Sequence, residues 1–283
     1  MTQTWRIRGT DHDLTQRGMI MGIVNVTPDS FSDGGRFLDT GRAVEHALEL
    51  INEGADILDI GGESTRPGAE PVAEAEEIRR VIPVIRALRA VSPALISIDT
   101  MKAAVARAAL EAGADIINDV TGLRGDPAML RVAADSDAGL VVMHMIGTPQ
   151  TMQKQPEYCH VVREVQDYFT ARLRCLEHEG IDLQRVVLDP GFGFGKTLEH
   201  NLDLMRGLPD LMATGRPLLV GVSRKSMIAR LIESDDIEDR DWPTVALTSH
   251  AREQGARIVR VHEVRPNVQA MRMTEAILNN SVK

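Results

Sequence analysis

The chain has 283 residues, of which 43% are hydrophobic and 26% charged, and its formal net charge is −9 at pH 7. That acidic balance argues against nucleic acid and a membrane surface as main partners, because both usually select a basic stripe. The length suits one large domain spanning residues 1–283, and the lack of an apolar leader or long apolar run predicts a cytoplasmic location.

The N-terminal segment alternates loosely around Trp5 and Ile7 and contains the turn-forming run Gly9-Thr10-Asp11. This pattern predicts a short β-hairpin within residues 1–18, which we expect to close the bottom of a barrel. Residues 19–25 follow as a nearly continuous apolar run ending at Asn25, as is typical of a strand buried on both faces. The next ten residues, 26–35, are rich in turn formers and could act as a lid.

A short motif beginning with Gly-Ala recurs, each time after a helical stretch and before an apolar run. Its copies and the remaining apolar runs cover residues 54–59, 113–118 and 255–260, and residues 94–99, 139–144, 185–189 and 217–223. Together with residues 19–25 they make eight strand-then-helix units. Eight such units with right-handed crossovers predict an α/β fold, a (β/α)8 TIM barrel. An open doubly wound sheet is the second choice.

The run from Val186 to Lys196 ends a strand at Asp189 and continues with Pro190 and three closely spaced glycines. It is not a phosphate-binding loop, because Pro190 occupies the place of the first glycine. It also fails the dinucleotide-binding pattern, because the third glycine comes one residue early. Phe192 and Phe194 in the same loop favour a flat, hydrogen-bonding ligand, although a plain connecting turn is an alternative.

Polar residues close all eight predicted strands. They are Asn25, Asp59, Asp99, Asn118, His144, Asp189, Ser223 and Arg260 with His262. The carboxyl ends of barrel strands meet on one face, so these side chains are expected to form one polar basin. For Asp59 alone we prefer a helix cap or a salt-bridge partner.

Asp99, Asn118 and Asp189 offer acceptors and an amide, which suits a fused heterocycle carrying amino and lactam groups. The alternative is that Asp99 and Asn118 cap the helices that follow them. Lys225, between Ser223 and Ser226 at a predicted helix start, is expected to face the basin, and Arg260 and His262 form a candidate anion clamp. The histidines show no zinc spacing, so no structural metal is expected, and Cys159 and Cys175 are expected to be free thiols.

Five stretches together resemble the bacterial dihydropteroate synthases. They start at Asn25 (Asn-Val-Thr-Pro-Asp-Ser-Phe-Ser-Asp-Gly-Gly), Gly61 (Gly-Gly-Glu-Ser-Thr-Arg-Pro-Gly), Asp189 (Asp-Pro-Gly-Phe-Gly-Phe-Gly-Lys), Ser223 (Ser-Arg-Lys-Ser) and Arg260 (Arg-Val-His). The resemblance covers about residues 19–276. It implies a pterin-binding TIM barrel and a transferase that condenses hydroxymethyl-dihydropterin diphosphate with para-aminobenzoate, giving dihydropteroate for folate synthesis and releasing pyrophosphate. The family is a sulfonamide target and is usually dimeric through its C-terminal helices, so a homodimer is expected.

The resemblance also implies roles for individual residues. The pterin would be held by Asp99, Asn118, Val120, Met143, Asp189, Phe194 and Lys225. The diphosphate would be held by Asn25, Thr65, Arg66, Arg260 and His262, with Asn25 as the protein ligand of a substrate-bound Mg²⁺. Para-aminobenzoate would be held by Phe31, Thr65, Arg66, Pro67, Ser223, Lys225 and Ser226. Catalysis would depend on Asp99, Asp189, Lys225, Arg260 and His262.

Two positions depart from the family pattern: Glu263 replaces the more usual aspartate, and Trp242-Pro243 precedes Thr244. Two rival functions remain. A pterin-dependent methyltransferase would keep the pterin cradle but would not need the Ser223–Ser226 motif. A non-catalytic binding protein would hold pterin without releasing pyrophosphate.

Overall fold

The computed structural model describes residues 3–26, 36–65, 68–148, 151–152 and 156–279, except for the side chains of residues 36–39. The chain starts with an antiparallel hairpin of strands β1 (Thr4–Ile7) and β2 (Thr10–Asp13). Arg8 and Gly9 link the strands, and both have positive φ angles, of 50° and 74°. Two such residues form the tight turn whose twist matches a hairpin, so the predicted N-terminal hairpin is confirmed.

Eight parallel strands follow. They are β3 (Met19–Asn25), β4 (Ile57–Gly61), β5 (Leu95–Asp99), β6 (Ile116–Asp119), β7 (Gly139–Met143), β8 (Val186–Asp189), β9 (Leu219–Val220) and β10 (Ile258–Val261). Their order in the sheet is β8-β7-β6-β5-β4-β3-β10-β9. The sheet closes through a bridge between Leu188 and Leu218 and a hydrogen bond of 3.0 Å from the Leu188 amide to the Pro217 carbonyl. The predicted (β/α)8 barrel is confirmed.

Helices connect successive strands and pack around the outside of the barrel. They are α1 (Arg36–Asn52), α2 (Glu74–Val91), α3 (Ala103–Ala112), α4 (Met129–Ala134), α5 (Val161–His178), α6 (Leu198–Arg206), α7 (Leu208–Leu211), α8 (Ser226–Ile232), α9 (Asp241–Glu253) and α10 (Val264–Leu278). Strand β9 is shorter than the predicted run, because its pairing with β10 covers only two residues. None of the helices in the described part of the chain combines the length and apolar character needed to cross a bilayer.

The barrel interior is built in layers. The lower layer is apolar and consists of Met21, Ile57, Ile116, Val141, Val187, Leu219 and Ile258, all with no exposed surface. Side chains alternate between the two faces of a strand, so the residue two positions further along also points inward. That next layer contains Asp59, Asn118, Asp189 and Arg260, and this stacking places the polar groups directly above a dry core.

The hairpin closes the bottom of the barrel, as predicted. Trp5, Ile7 and Leu14 pack against the lower apolar layer, and each is at most 1% exposed. The Trp5 indole nitrogen donates a hydrogen bond of 2.8 Å to the Arg185 carbonyl. The only polar atom of this side chain therefore has a partner although it is buried. Access to the polar layer is thus from the opposite end.

Candidate active site

A cleft of about 470 Å³ opens at the carboxyl ends of the strands. It collects side chains from positions more than two hundred residues apart in sequence. Its lining includes Ile23, Asn25, Glu63, Ser64, Thr65, Asp99, Met152, Phe194, Ser223, Arg224, Lys225, Ser226, Ile237, Arg240, Arg260 and His262. Nine of the predicted site residues are in this set, whereas the lining does not include Asn118, Val120, Met143 and Asp189.

Two carboxylates share one guanidinium beneath this cleft. Arg260 donates from Nε to Asp59 Oδ2 at 2.6 Å and from Nη2 to Asp99 Oδ2 at 2.9 Å. The Asn118 side-chain amide donates to the same Asp59 oxygen at 3.0 Å. The second oxygens of Asp59 and Asp99 are buried and have no hydrogen-bond partner among the described residues. A ligand with N–H groups would satisfy this demand for donors.

The electrostatic balance of this cluster favours a donor-rich ligand. Burial, followed by the neighbouring Asp59 carboxylate, raises the pKa of Asp99 to about 7, and Arg260 acts in the opposite direction. Burial also raises the pKa of Asp189, although Lys225 lowers it. Asp59 and Asp99 share the Arg260 guanidinium, so each N–H donor that a ligand brings to these carboxylates stabilises their charged forms.

Lys225 lies between the acidic cluster, formed by Asp59, Asp99 and Asp189, and the loop that carries Phe192 and Phe194. Its Nζ donates to the Phe192 carbonyl and lies 4.6 Å from the centre of the Phe194 ring. Burial lowers the pKa of Lys225 to about 8, with Asp189 opposing the shift. Lys225 is the residue immediately before α8, which agrees with the predicted helix start. The lysine therefore stands beside both an aromatic face and the acidic cluster.

An apolar wall completes this side of the cleft. Val120, Met143, Met145 and Met152 form a separate buried cluster, against which Met101 and Phe194 pack. Three of the predicted pterin-pocket residues, Val120, Met143 and Phe194, are thus brought together. Methionines adapt their shape around a flat ring and contact aromatic groups favourably.

The other side of the cleft carries hydroxyl and cationic groups. The Ser223 hydroxyl and His262 Nδ1 are 2.9 Å apart, and the His262 backbone amide donates to the same hydroxyl at 3.2 Å. Asn25, Thr65 and Ser226 line this region too. An anion placed here would face His262 and Arg260 together, which agrees with the predicted clamp.

Three of the predicted site residues, Phe31, Arg66 and Pro67, lie outside the described residues, as does most of the predicted lid at residues 26–35. The base of the second loop is described. Arg80 on α2 donates to the Gly62 carbonyl at 2.9 Å, and Lys102 bonds to both Glu63 and Glu77. The first residues of the loop that carries Thr65, Gly62 and Glu63, are therefore held by hydrogen bonds from α2 and Lys102.

Of the two roles predicted for Asp59, a helix cap and a salt-bridge partner, only the second is observed. Asp59 lies two residues before the end of β4, has no exposed surface, and binds Arg260 and Asn118. The salt-bridge alternative for this residue is confirmed. The cap alternative also fails for Asp99 and Asn118, because α3 and α4 begin after Lys102 and Ala128 without any side-chain cap. A count of two residues from the inward-facing Ile57 would have placed Asp59 in the site.

Two further residues near the cleft were missed. Arg224 has a positive φ of 58° and binds Asp241 through two hydrogen bonds, of 2.7 and 2.9 Å, and Glu263 through one of 2.7 Å. Glu263, one of the two departures from the family pattern, thus contacts Arg224. Lys196 ends the glycine-rich run that does not fit the phosphate-binding pattern, and its side chain is buried beneath the loop. Burial lowers the pKa of Lys196 to about 7.

A second groove, of about 770 Å³, lies on the outer surface between α5 and the α6–α7 segment. Its lining comes from helices and includes His160, Arg163, Asp203 and Asp210, with no contribution from a barrel strand. The predicted site residues all lie elsewhere. The strand-end cleft is therefore the candidate active site, although it is the smaller of the two.

Comparison with known proteins identifies the family. The family described as "Pterin binding enzyme" matches residues 21–262. The dihydropteroate synthase of Escherichia coli strain K12 is 47% identical over 272 residues, covering 96% of this chain and 95% of the relative.

Solved structures agree. Xanthomonas albilineans dihydropteroate synthase with 4-aminobenzoic acid has a TM-score of 0.92, with 44% identity and full coverage of both chains. Burkholderia cenocepacia dihydropteroate synthase complexed with 7,8-dihydropteroate has a TM-score of 0.88, with 42% identity and coverage of 99% of this chain and 98% of that chain. The chain belongs to the pterin-binding enzyme family and, within it, to the dihydropteroate synthases.

Proposed function

We propose that this chain condenses hydroxymethyl-dihydropterin diphosphate with para-aminobenzoate, giving dihydropteroate and pyrophosphate. The observation that carries this assignment is the acidic cluster of Asp59, Asp99 and Asn118 around Arg260, with two carboxylate oxygens that lack partners among the described residues. The amino and ring N–H groups of a pterin are donors of the kind that these oxygens require. Phe194 and the methionine wall supply the flat apolar contact.

The chemistry follows from this placement. The amine nitrogen of para-aminobenzoate attacks the pterin methylene carbon, the bond from that carbon to the diphosphate oxygen breaks, and the amine loses a proton. The Asp189 carboxylate would stabilise the positive charge that develops on the methylene and the ring. Lys225 and Arg260 lie near Asp189 and favour its charged form. Arg260 and His262 face the departing negative charge. No side chain has to form a covalent bond with the substrate.

The remaining ligand assignments extend this proposal. Asp99, Asn118, Val120, Met143, Asp189, Phe194 and Lys225 would hold the pterin. Asn25, Thr65, Arg66, Arg260 and His262 would hold the diphosphate. Phe31, Thr65, Arg66, Pro67, Ser223, Lys225 and Ser226 would hold para-aminobenzoate. Ser223 and Ser226, at the start of α8, are in a suitable place to bind its carboxylate.

We also propose that the diphosphate enters with Mg²⁺. Asn25 ends β3 at the cleft and offers one side-chain oxygen. Such a site fits an ion held mainly by substrate phosphates and water, with one protein oxygen. Mg²⁺ would neutralise charge on the leaving diphosphate. Chelation with EDTA should abolish turnover, and Asn25→Ala should raise the Mg²⁺ concentration needed for half-maximal rate.

The assembly is proposed to be a homodimer formed through α10. Met273 and Ile277 lie one helical turn apart on this helix, and both side chains are exposed. Sedimentation should give twice the chain mass, and Ile277→Glu should give the single mass. We further propose that the hairpin and barrel form one domain, and that the protein works in the cytoplasm, which suits the free thiols of Cys159 and Cys175.

The decisive experiment is incubation of the protein with both substrates and Mg²⁺, with pyrophosphate and dihydropteroate measured separately. Equal amounts of the two products are expected. A non-catalytic binding protein would bind the pterin and release no pyrophosphate, and a methyltransferase would give neither product. Product formation no greater than in an enzyme-free control would refute the proposed function.

A further inference from the structure

Lys196 follows the third glycine of the loop between β8 and α6 and is only 3% exposed. Its Nζ lies 3.1 Å from His144 Nδ1, 3.0 Å from the Gly191 carbonyl and 3.0 Å from the Phe194 carbonyl. The His144 carbonyl is a fourth, more distant acceptor at 3.4 Å, so the three protons of the ammonium group all have acceptors in reach. In the regions that the structure describes, no carboxylate oxygen forms a hydrogen bond to it. A lysine is rarely buried in this way, because burying a charge is costly unless it is fully hydrogen-bonded.

The two carbonyls bound by Lys196 belong to the loop that shapes the pterin side of the cleft. Gly191 donates its amide to Asp189 Oδ1 at 2.7 Å, so its orientation also orients that carboxylate. Phe194 places its ring against the methionine wall and next to Lys225. The backbone on the inner side of the loop is thus bonded to Lys196, while the side chains on the outer side meet the cleft.

The backbone of this loop has an unusual conformation that is supported by several hydrogen bonds. Gly191, Gly193 and Gly195 all have positive φ angles, of 69°, 78° and 63°, a conformation that glycine adopts more readily than other residues. Two neighbours add further support: the Tyr158 hydroxyl donates to the Gly195 carbonyl, and the Gly193 amide donates to Asn201 Oδ1. Neither contacts the carbonyls of Gly191 and Phe194. The Gly191 carbonyl also accepts from the Phe194 amide at 3.1 Å, and Lys196 is the side chain that donates to both carbonyls.

We infer that Lys196 is a positioning residue for the pterin site, which holds Asp189 and Phe194 in their binding geometry by anchoring the loop between them from below. This inference rests on the proposed function. Lys196 does not line the cleft, so it acts through the loop and not by contact with the substrate. The loop therefore has lysine contacts on two sides. Lys196 donates to the Gly191 and Phe194 carbonyls on the buried side, and Lys225 donates to the Phe192 carbonyl on the cleft side.

The test is Lys196→Met, which keeps the length of the side chain and removes its three donors. The KM for the pterin diphosphate should rise at least about tenfold, because the Phe194 carbonyl loses the Lys196 donor, the Gly191 carbonyl keeps only its bond from the Phe194 amide, and the loop relaxes. The KM for para-aminobenzoate should change by less than about threefold, since Ser223 and Ser226 lie on a different loop. Calorimetric binding of hydroxymethyl-dihydropterin diphosphate without para-aminobenzoate should weaken in parallel with its KM.

Arg185→Met is the matched control. Arg185 is also a buried cation, and it donates to the carbonyls of Ala138 and Ala133, each at 2.8 Å, at the amino end of β8. This variant should lose thermal stability, yet keep both KM values. An unchanged pterin KM in Lys196→Met, or an equal effect on both KM values that Arg185→Met reproduces, would overturn the inference.

A second variant covers the case in which Lys196→Met does not fold. Lys196→Gln keeps one amide donor group in the same place and should give a smaller rise in the pterin KM, whereas an unchanged pterin KM would count against the inference. Failure of the proposed function looks different, because the wild-type protein itself would then make no dihydropteroate.

Discussion

Arg260 determines the geometry of the cleft at the level of single residues. Its guanidinium binds Asp59 on β4 and Asp99 on β5 at once. The planar guanidinium holds these two carboxylates in directions that its own geometry fixes. This contact joins β10 to β4 and β5, which lie far from it in sequence, so the network gives both the shape of the site and its charge.

Asp189→Asn tests the charge contribution at this scale. The amide can still accept from the Gly191 backbone, but it carries no charge beside Lys225 and the developing positive charge on the substrate. Turnover should drop at least about tenfold, which is the scale of losing one good charged contact. Steady-state release of pyrophosphate measures this change.

Asp182→Asn provides a control on the same segment of chain. Asp182 lies at the amino end of β8, where it accepts from Arg6 and from the Gln184 amide. Activity should stay near that of the wild type. Equal turnover in wild type and Asp189→Asn would remove Asp189 from the site.

His144 makes stability depend on pH. Burial, and then the Lys196 charge, lower the pKa of His144 from 6.5 to about 3. Between these values the unfolded chain binds a proton that the folded chain does not, so stability falls as the pH falls from 6.5 towards 3. His144→Gln keeps an acceptor for Lys196 and removes this titration. Its free energy of unfolding, relative to wild type, should rise by roughly 2 kcal/mol between pH 7.5 and 4.5.

Urea unfolding at several pH values measures this difference. The comparison with wild type matters because other buried groups shift in the opposite sense, such as Asp119, whose pKa is raised to about 6 by burial. A gap between wild type and His144→Gln that is constant with pH would contradict the prediction.

The residues that could be predicted from the sequence are those that end strands or belong to long motifs. Asp99, Asn118 and Asp189 were found in this way, as were Lys225 and Arg260. The partner of Asp59 could not be predicted, because it depends on which side of the strand the residue faces. The role of Lys196 could not be predicted either, because its burial depends on how the glycine-rich loop folds.

The loop between β8 and α6 is the element on which the site depends most. It packs directly on the backbone that follows β7, and there is no room for a side chain at Gly191. A Cβ atom at this position would lie 2.0 Å from the His144 carbonyl oxygen. This contact explains a glycine there independently of its φ angle.

Gly191→Ala should therefore lose stability for two reasons, the positive φ angle and the clash, with a sum of about 3–5 kcal/mol. Gly180→Ala is the control, because Gly180 has a φ angle of 77° but a Cβ atom there would meet nothing within 4 Å. That variant should lose only about 1–2 kcal/mol. Chemical denaturation of both variants gives the comparison, and equal losses would show that the close approach is unimportant.

At the scale of the whole molecule, eight repeated units were readable from the sequence because glycine stops and apolar runs recur at regular intervals. Their closure into a barrel followed from the crossover rule. The cross-connections between distant segments were not readable. Arg252 on α9, for instance, is 2% exposed and binds Glu275 on α10 and the Gln16 carbonyl near the hairpin.

Arg252→Met should lower the free energy of unfolding by about 3–5 kcal/mol, because it leaves the buried Glu275 carboxylate with fewer partners. Arg131→Met breaks an exposed pair with Asp135 and should cost less than about 1 kcal/mol. Neither residue lies at the cleft, so the pterin KM should remain that of the wild type. Equal stability of the two variants would refute this account of the α9–α10 contact.

One of the two tryptophans is buried and the other is exposed, so their fluorescence should report on two different parts of the protein. Trp5 lies wholly inside the seal at the barrel bottom, whereas Trp242 at the start of α9 is 77% exposed. In a Trp242→Phe protein, fluorescence would come from the hairpin seal alone, with short-wavelength emission that shifts to the red once water enters. Opening of the barrel floor could then be followed separately from events at the substrate entrance.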